Sequence, residues 1–316
     1  MSIPRPRQSV EILNVSYDPT RELWKELNDI FVPAYNAKGN VRLTIRQSHA
    51  GSSSQARSVI DGLEADVVTL AMWTDTDAIR EKGLIAENWE SRLPERSMPY
   101  LSTIVFVVRQ GNPKEIKDWE DLARDDLQIV TPNPKTSGNG KLSFLAAWGA
   151  VVVAGGSDAD ALSLVTKLYK NTPVLDTAAR AATTTFAQKG IGDVHLTWEN
   201  EAYLEVQESR GELEIVYPAR SIRAEPQVSL VDKNVDRHGT RDVSNAYLNF
   251  LYTDEAQRAI GRHYYRPINH EIRAEFAATL PDLELFTIND FTAGWADANQ
   301  RFFGEGGVFD QIYASK

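Results

Sequence analysis

Residues 41–63, VRLTIRQSHAGSSSQARSVIDGL, predict a strand, a polar turn and a helix in direct succession. Polar and apolar residues alternate from Val41 to Ile45, as they do in a half-buried strand. Serine and glycine are concentrated at positions 48–54, and beyond them apolar residues recur at helical spacing. A strand whose carboxyl end turns at once into a helix is the repeating unit of an open α/β sheet.

The same unit repeats on both sides of this stretch. Residues 11–16 predict a strand, and after Pro19 an apolar stripe predicts a helix, at Leu23, Trp24, Leu27, Ile30 and Phe31. Residues 65–70 predict a buried strand. The first hundred residues therefore predict a β-α-β-α-β lobe.

A second α/β lobe is predicted for residues 101–227, with strands at 102–108, 127–131, 193–198 and 214–217. The strand and helix predicted after residue 227 return to the first lobe, which therefore comprises residues 8–100 and about 228–275. We expect residues 276–316 to pack on the lobes as a C-terminal segment, but the sequence leaves open which lobe they join.

Composition and charge exclude several classes of protein. The chain has 316 residues, 42% of them hydrophobic, and a formal net charge of −10, which disfavours nucleic acid and anionic membranes as partners. It has no cysteine, so disulfides and thiolate catalysis are excluded, and its five histidines have no metal-ligand spacing. We find neither a long apolar run nor a signal-peptide pattern, and these observations leave the cellular compartment open.

Three polar stretches, each before a predicted helix, indicate an anion site. They are residues 47–54, 134–140 and 176–180. The first N–H groups of a helix have no partner within the helix, and the helix dipole favours negative charge beside them. Ligands of open α/β sheets bind at the carboxyl ends of strands. One of the three stretches belongs to the first predicted lobe and two belong to the second, so we expect a ligand that contacts all three to lie between the lobes. The expected donors are the Ser52 and Ser137 hydroxyls, backbone N–H groups near Ser52 and at Gly138, Asn139 and Ala179, and the Trp198 indole N–H.

Several long motifs resemble the sulfate/thiosulfate-binding proteins of bacterial ABC uptake systems. The resemblance runs from about Glu11 to the C-terminus and rests on NVSYDPTREL (14–23), QSHAGS (47–52), GLEADVVT (62–69), TPNPKTSG (131–138), TF (185–186), GIGDV (190–194), WENEA (198–202) and YYRP (264–267). It implies the type II periplasmic binding protein fold, which is α/β and two-lobed with a ligand cleft between the lobes. It also implies a monomeric periplasmic protein whose export signal has been removed. Such a protein carries sulfate or thiosulfate to a membrane permease, and it has no cofactor, no metal and no catalytic activity.

The resemblance assigns ligand contacts to the donors named above. These are Ser52, Ser137, Gly138, Asn139, Ala179 and Trp198, with supporting roles at Asp18 and Arg180 that hold the loops. Asn139 stands where many sulfate binders have a second glycine, and a left-handed backbone there would cost more at Asn than at Gly. Asn139 and Ala50 resemble the thiosulfate branch, whereas Trp198 resembles the sulfate branch.

Other interpretations of the same residues remain open. Ser52 and Ser137 are also typical helix N-caps, and Trp198 could be a core residue, although the acidic and polar residues after it favour exposure at a cleft. A serine hydrolase using Ser52 or Ser137 with His49 is a weaker alternative, because the chain has no Gly-x-Ser-x-Gly elbow. A cytosolic or regulatory oxyanion sensor is the other.

Overall fold

The computed structural model describes residues 8–39 and 41–314. These residues form two compact units. Unit 1 comprises the described residues up to Tyr100 together with Pro226–Phe276, and unit 2 comprises Leu101–Glu225 together with the described residues from Ala277 onward. The C-terminal segment, whose lobe the sequence left open, therefore belongs to unit 2 from Ala277 onward in the part that the structure describes, whereas Phe276 belongs to unit 1.

Short strands and helices alternate along most of the chain. The strands are β1 (Gln8–Tyr17), β2 (Val41–Ala50), β3 (Val67–Leu70), β4 (Tyr100–Leu101), β5 (Ile104–Arg109), β6 (Ile129–Pro132), β7 (Leu175–Asp176), β8 (Val194–Trp198), β9 (Leu213–Val216), β10 (Arg220–Ile222), β11 (Gln227–Leu230), β12 (Arg266–Pro267) and β13 (Glu284–Phe286).

The helices vary from four to eighteen residues. They are α1 (Arg21–Lys38), α2 (Ser52–Ile60), α3 (Trp73–Glu81), α4 (Pro94–Ser97), α5 (Gly138–Val153), α6 (Asp158–Lys170), α7 (Ala179–Thr183), α8 (Glu199–Glu208), α9 (Asp232–His238), α10 (Arg241–Phe250), α11 (Asp254–Arg262), α12 (His270–Glu275), α13 (Trp295–Ala298) and α14 (Val308–Ala314). Within the residues described, no helix combines the length and the apolar character needed to cross a bilayer.

The sheet of unit 1 has the strand order β11-β3-β1-β2. β1 is parallel to β2 and β3, so these strands end at the same edge, whereas β11 is antiparallel to β3. The sequence predicted that β2 ends near Ile45, and this is wrong, because β2 continues to Ala50 and pairs there with Tyr17 of β1. Backbone pairing does not depend on side-chain polarity, so a polar edge strand gives no alternating signal.

The apolar stripe predicted for α1 packs against the sheet of unit 1. Leu23, Trp24, Leu27 and Phe31 are buried in a cluster that also contains Tyr247 of α10, whose ring centroid lies 5.4 Å from that of Trp24. Ile30 is half-buried at the margin of this cluster. Residues of α2 and α3, including Val59 and Ile79, form a second cluster with Val15 and Val68. The sheet is thus covered by apolar clusters from several helices.

The main sheet of unit 2 has the strand order β7-β6-β8-β5-β9. β6 is parallel to β7 and β8, so the carboxyl ends of these strands lie at one edge. β5 is antiparallel to β8 and β9. The C-terminal segment packs on α5 through aromatic side chains, with the ring of Phe302 4.8 Å from Trp148 and that of Phe303 5.3 Å from Phe144.

A buried carboxylate joins three parts of unit 1. Asp66 lies just before β3, and its Oδ2 accepts a hydrogen bond from the N–H of Leu13 at 2.8 Å. Its Oδ1 accepts from the Thr240 hydroxyl at 2.5 Å and faces Nδ1 of His238 at 2.9 Å. Only 3% of the side chain is exposed. Asp66 therefore connects β1 and β3 with the segment between α9 and α10.

We predict that Asp66→Ala lowers the free energy of unfolding by about 2–4 kcal/mol, because it leaves buried donors without an acceptor. Glu64→Gln is the control, since Glu64 also lies beside His238 but is 62% exposed, and it should change stability by less than about 0.5 kcal/mol. Urea denaturation, monitored by tryptophan fluorescence, gives the free energy of unfolding of both variants. Equal stabilities of the two variants would contradict this assignment.

Candidate functional site

Ser52 begins α2 at the carboxyl edge of the sheet in unit 1. Gly51 is the N-cap, so Ser52 occupies the first helical position and is not a cap itself. Its Oγ accepts a hydrogen bond from the N–H of Ala71, the residue after β3, at 3.0 Å. Because that bond uses an oxygen lone pair, the hydroxyl hydrogen remains available for another acceptor.

Asp18 follows β1 at the same edge of unit 1 and is 5% exposed. Its Oδ1 accepts hydrogen bonds from Nε of Arg21 at 3.0 Å and from Nη2 at 2.5 Å. Nη2 of Arg21 also donates to the carbonyl of His49 at 3.1 Å. The pair therefore links the end of β1 with the end of β2, close in sequence to Ser52. Arg21 was not among the residues predicted from the sequence, although its i, i+3 spacing from Asp18 is a visible signal.

Ser137 is the N-cap of α5 in unit 2. Its Oγ accepts a hydrogen bond from the N–H of Gly140 at 3.5 Å, a long distance for such a bond. The capping interpretation is therefore correct for Ser137 and wrong for Ser52. Capping uses the oxygen of Ser137 as an acceptor and leaves the O–H free to donate. The N–H groups of Gly138 and Asn139 lie in the first turn, where a helix provides no carbonyl for them.

The loop before Ser137 is held by hydrogen bonds to neighbouring segments of unit 2. The N–H of Asn133 donates to the carbonyl of Asp176 at 2.7 Å, and the Thr136 hydroxyl donates to the carbonyl of Thr177 at 2.8 Å. Nζ of Lys135 donates to the carbonyl of Phe303 at 2.8 Å and contacts Asp310 at 2.8 Å.

The hydrogen bond from Lys135 lowers the pKa of the Asp310 carboxyl. The C-terminal segment therefore supports the Ser137 loop through an ion pair as well as through its aromatic packing. This role was not predicted from the sequence, because no local pattern indicates that residues 303 and 310 lie beside residue 135.

Asn139 lies inside α5, and the expected cost of a left-handed backbone is wrong. Helical geometry suits Asn as well as it suits Gly, because its φ is negative. The side chain of Asn139 is buried, with Nδ2 donating to the carbonyl of Leu196 at 3.4 Å and Oδ1 accepting from the Ser143 hydroxyl at 3.2 Å. It therefore links the start of α5 to β8.

Ala179 begins α7, a short helix with no side-chain cap because its N-cap is Ala178. The next residue, Arg180, donates from Nε to Glu201 at 2.6 Å and from Nη2 to the second oxygen of Glu201 at 3.1 Å. This forked ion pair fixes the first turn of α7 to α8. A π-helical turn, Thr184–Gln188, continues α7.

Trp198 ends β8 and is the N-cap residue of α8. The prediction that the acidic and polar run after Trp198 marks an exposed cleft is wrong, because Glu199, Asn200 and Glu201 are at most 1% exposed. Carboxylates in the first turn of a helix are stabilised by its dipole. Glu199 also accepts from the Tyr217 hydroxyl at 2.9 Å, and burial raises the pKa of that tyrosine, which keeps it a neutral donor.

Each unit therefore carries its own set of candidate donors, and all of the predicted contact residues are buried. Unit 1 provides Ser52, and unit 2 provides Ser137, Gly138, Asn139, Ala179 and Trp198. Arg21, which bonds the end of β2, and Arg180, which follows Ala179, each have a carboxylate partner, Asp18 for Arg21 and Glu201 for Arg180. Such donors suit an anion recognised by neutral dipoles.

A family model for bacterial extracellular solute-binding proteins matches residues 16–266. The chain belongs to this family. It is 49% identical over 307 residues to the sulfate-binding protein of Escherichia coli K12, covering 96% of this chain and 93% of the relative. It is also 49% identical over 305 residues to the thiosulfate-binding protein of Pseudomonas aeruginosa PAO1, covering 96% and 92%. The family predicted from the sequence motifs is confirmed.

Solved structures have the same fold. The sulfate-binding protein SubI from Mycobacterium tuberculosis H37Rv superposes with a TM-score of 0.83 at 29% identity, covering 93% of this chain and 99% of that one. A periplasmic thiamin binding protein, with a TM-score of 0.68 at 16% identity over 97% and 94% of the two chains, shares the fold alone. The predicted α/β solute-binding protein fold is confirmed.

We predict that Gly140→Ala displaces the Ser137 loop. A Cβ at Gly140 would lie within 2.7 Å of backbone atoms of Pro132, Asn133 and Pro134, which cannot rotate away as a flexible side chain would. We expect a loss of about 1–3 kcal/mol of stability, as for overpacking elsewhere, and weaker anion binding. Gly39→Ala is the control, since a Cβ there has no described residue within 4 Å apart from its neighbours in the chain. Thermal denaturation compares the two, and an unchanged melting temperature for Gly140→Ala would be the contrary result.

Proposed function

We propose that this protein binds sulfate and delivers it to the membrane permease of an ABC transporter. The observation that carries the proposal is the set of neutral donors at the starts of α2, α5 and α7, each following a strand at the carboxyl edge of its sheet. The names of its relatives support the same ligand. We propose further that Ser52 in unit 1, and Ser137, Gly138, Asn139, Ala179 and Trp198 in unit 2, are sulfate-binding residues.

Donors without acceptors favour sulfate over phosphate. Sulfate is fully ionised at neutral pH, whereas phosphate retains at least one O–H that needs an acceptor. A buried O–H without a partner costs about 1–3 kcal/mol. The carboxylate beside the Ala179 turn, Glu201, accepts with both oxygens from Arg180. Thiosulfate has the same charge and no proton, with a terminal sulfur in place of one of the four sulfate oxygens, so it is the second ligand to test.

The remaining parts of the proposal follow from the family. We propose a periplasmic location, action as a monomer without a cofactor or metal, and no catalysis. Asp18 and Arg180 support the ligand loops through their partners Arg21 and Glu201, and need not contact the anion. A cytosolic oxyanion sensor would have the same binding residues, so interaction with a permease is what separates the two functions.

Calorimetric titration tests the ligand. We expect micromolar or tighter binding of sulfate, and phosphate weaker by about 5- to 150-fold at neutral pH, the factor that corresponds to one buried O–H without an acceptor. Thiosulfate and molybdate are titrated beside them. Equal affinity for sulfate and phosphate at neutral pH would be incompatible with a site made only of donors.

Serine substitutions test the donors. Ser137→Ala and Ser52→Ala should each weaken sulfate binding by about 1–3 kcal/mol, the worth of a hydrogen bond to a charged group. Ser157→Ala is the matched control, because Ser157 caps α6 of unit 2 in the way that Ser137 caps α5. It should cost about 1 kcal/mol of stability without changing the affinity. If Ser137→Ala alters stability alone, Ser137 is only a cap.

A further inference from the structure

Helix α8 buries an unusual number of carboxylates, and two of them bind to α7. Glu199, Glu201 and Glu205 are each at most 2% exposed. Buried carboxylates are costly unless they are paired and hydrogen-bonded, so their partners indicate what they are for. Glu201 receives the forked ion pair from Arg180 described above. The Thr183 hydroxyl donates to Oε1 of Glu205 at 3.0 Å.

These bonds join the two helices at matching positions. Arg180 and Thr183 are separated by about one helical turn on α7, and Glu201 and Glu205 by about one turn on α8. Each end of α7 is therefore held by a side chain of α8. At the C-terminal end of α7 the donor is the neutral Thr183 hydroxyl. Because its hydrogen bond is directional, it depends on the orientation of the Glu205 carboxylate.

The orientation of Glu205 is set by a buried histidine. Nδ1 of His195, on β8, lies 2.9 Å from Oε1 and 3.0 Å from Oε2 of Glu205, and the His195 side chain is completely buried. The His195 ring lies 5.5 Å from the ring of Phe186, which is in the π-helical turn that continues α7. The guanidinium of Arg109 lies 4.0 Å from the centroid of the same ring.

Arg109 supplies positive charge to this region. Burial lowers the pKa of its guanidinium, and the negative charges of Asp193 and Glu205 act in the opposite direction. Its Nη2 donates to the carbonyls of Phe186 at 3.2 Å and Gly192 at 2.8 Å. Glu205 thus lies near the Arg109 guanidinium, the Thr183 hydroxyl and the His195 imidazole. All of these groups belong to unit 2.

Helix α7 needs such support. Its α-helical part has five residues and no side-chain cap, and even with the π-helical turn Thr184–Gln188 the helical stretch is too short to be stable in isolation. An N–H that binds an anion must nevertheless point in a fixed direction before the ligand arrives, since ordering it during binding would weaken the affinity. The support therefore has to come from outside the helix.

We propose that Thr183, Glu205 and His195 are positioning residues for the Ala179 N–H. The hydrogen-bond chain from β8 through α8 to Thr183 fixes the end of α7 opposite to its ligand-binding end. This inference rests on the proposed function, because it assigns a role in anion binding to residues that do not themselves bind the anion.

The chain offers a matched pair of substitutions. Thr183→Val keeps the shape of the side chain and removes the hydroxyl that reaches Glu205. Thr184→Val removes a hydroxyl whose hydrogen bond, among the residues that the structure describes, stays within the same helical stretch, to the carbonyl of Arg180 at 3.0 Å. Both threonines are half-buried. Thr183→Ser restores the hydroxyl and serves as the conservative rescue.

We expect Thr183→Val to raise the dissociation constant for sulfate by about 3- to 10-fold, as for the loss of one hydrogen bond. The increase should appear mainly in the dissociation rate, measured by stopped-flow fluorescence. Thr183→Ser should recover most of the affinity, and Thr184→Val should match the wild type. Wild-type affinity in Thr183→Val, or an equal loss in Thr184→Val, would overturn the proposal.

Amide hydrogen exchange separates this proposal from the proposed function. The N–H of Ala182 donates to the carbonyl of Ala178 at 3.2 Å, the first turn of α7. In sulfate-free protein it should exchange faster in Thr183→Val than in Thr184→Val or the wild type. Failure of the wild type to bind sulfate would refute the proposed function, while unchanged exchange at Ala182 would refute the positioning role.

Discussion

The candidate site depends on backbone N–H groups that the protein orients without pairing. A buried N–H without an acceptor is costly, so such groups persist only where the fold gives the chain no alternative. A helix that starts directly after a strand creates this situation, because its first N–H groups have no carbonyl one turn earlier. β2 and α2 are separated only by Gly51, and β7 and α7 only by residues 177–178. The short connections fix where the N–H groups lie.

The need to hold these N–H groups in a fixed orientation also explains why charged residues near the donors are paired. Asp18 and Glu201 are buried, and each binds an arginine through two nitrogens. Replacing a buried ion pair with apolar residues often leaves stability unchanged or increases it, so these pairs are weak evidence for stability. What they provide is a fixed geometry. The pair of Asp18 joins the ends of β1 and β2, and the pair of Glu201 joins α7 to α8, so both hold helix starts or strand ends that carry candidate donors.

Much of this architecture could be predicted from local sequence. Strand β6, the polar loop after it and the cap at Ser137 all have local signals, because a short apolar run, Pro and Ser act within a few residues. The apolar stripe of α1 could also be predicted, from the helical spacing of its apolar residues. The extension of β2 to Ala50 was not, since its partner β1 pairs through the backbone and leaves no mark on the side chains of β2. The Ser52–Ala71 hydrogen bond joins residues from two strand ends, and periodicity cannot detect it.

The acidic run after Trp198 shows where such reasoning fails. Charged residues are normally exposed, so a run of them predicts solvent. Here the partners that permit burial come from other elements, Arg180 from α7 and Tyr217 from the chain after β9. Burial of a charge is thus a property of the assembled unit rather than of the segment.

A site of neutral dipoles also suits a protein with a net charge of −10. Lysine or arginine at the anion would attract any negative ion and would discriminate mainly by charge, whereas converging N–H and O–H groups discriminate by shape and protonation. Each dipole acts only at short range, so the overall negative charge of the protein matters less once the anion has reached the donors. A ligand held in this way can be released when the geometry of a few donors changes, and the proposed delivery of the ligand to a transporter requires such release.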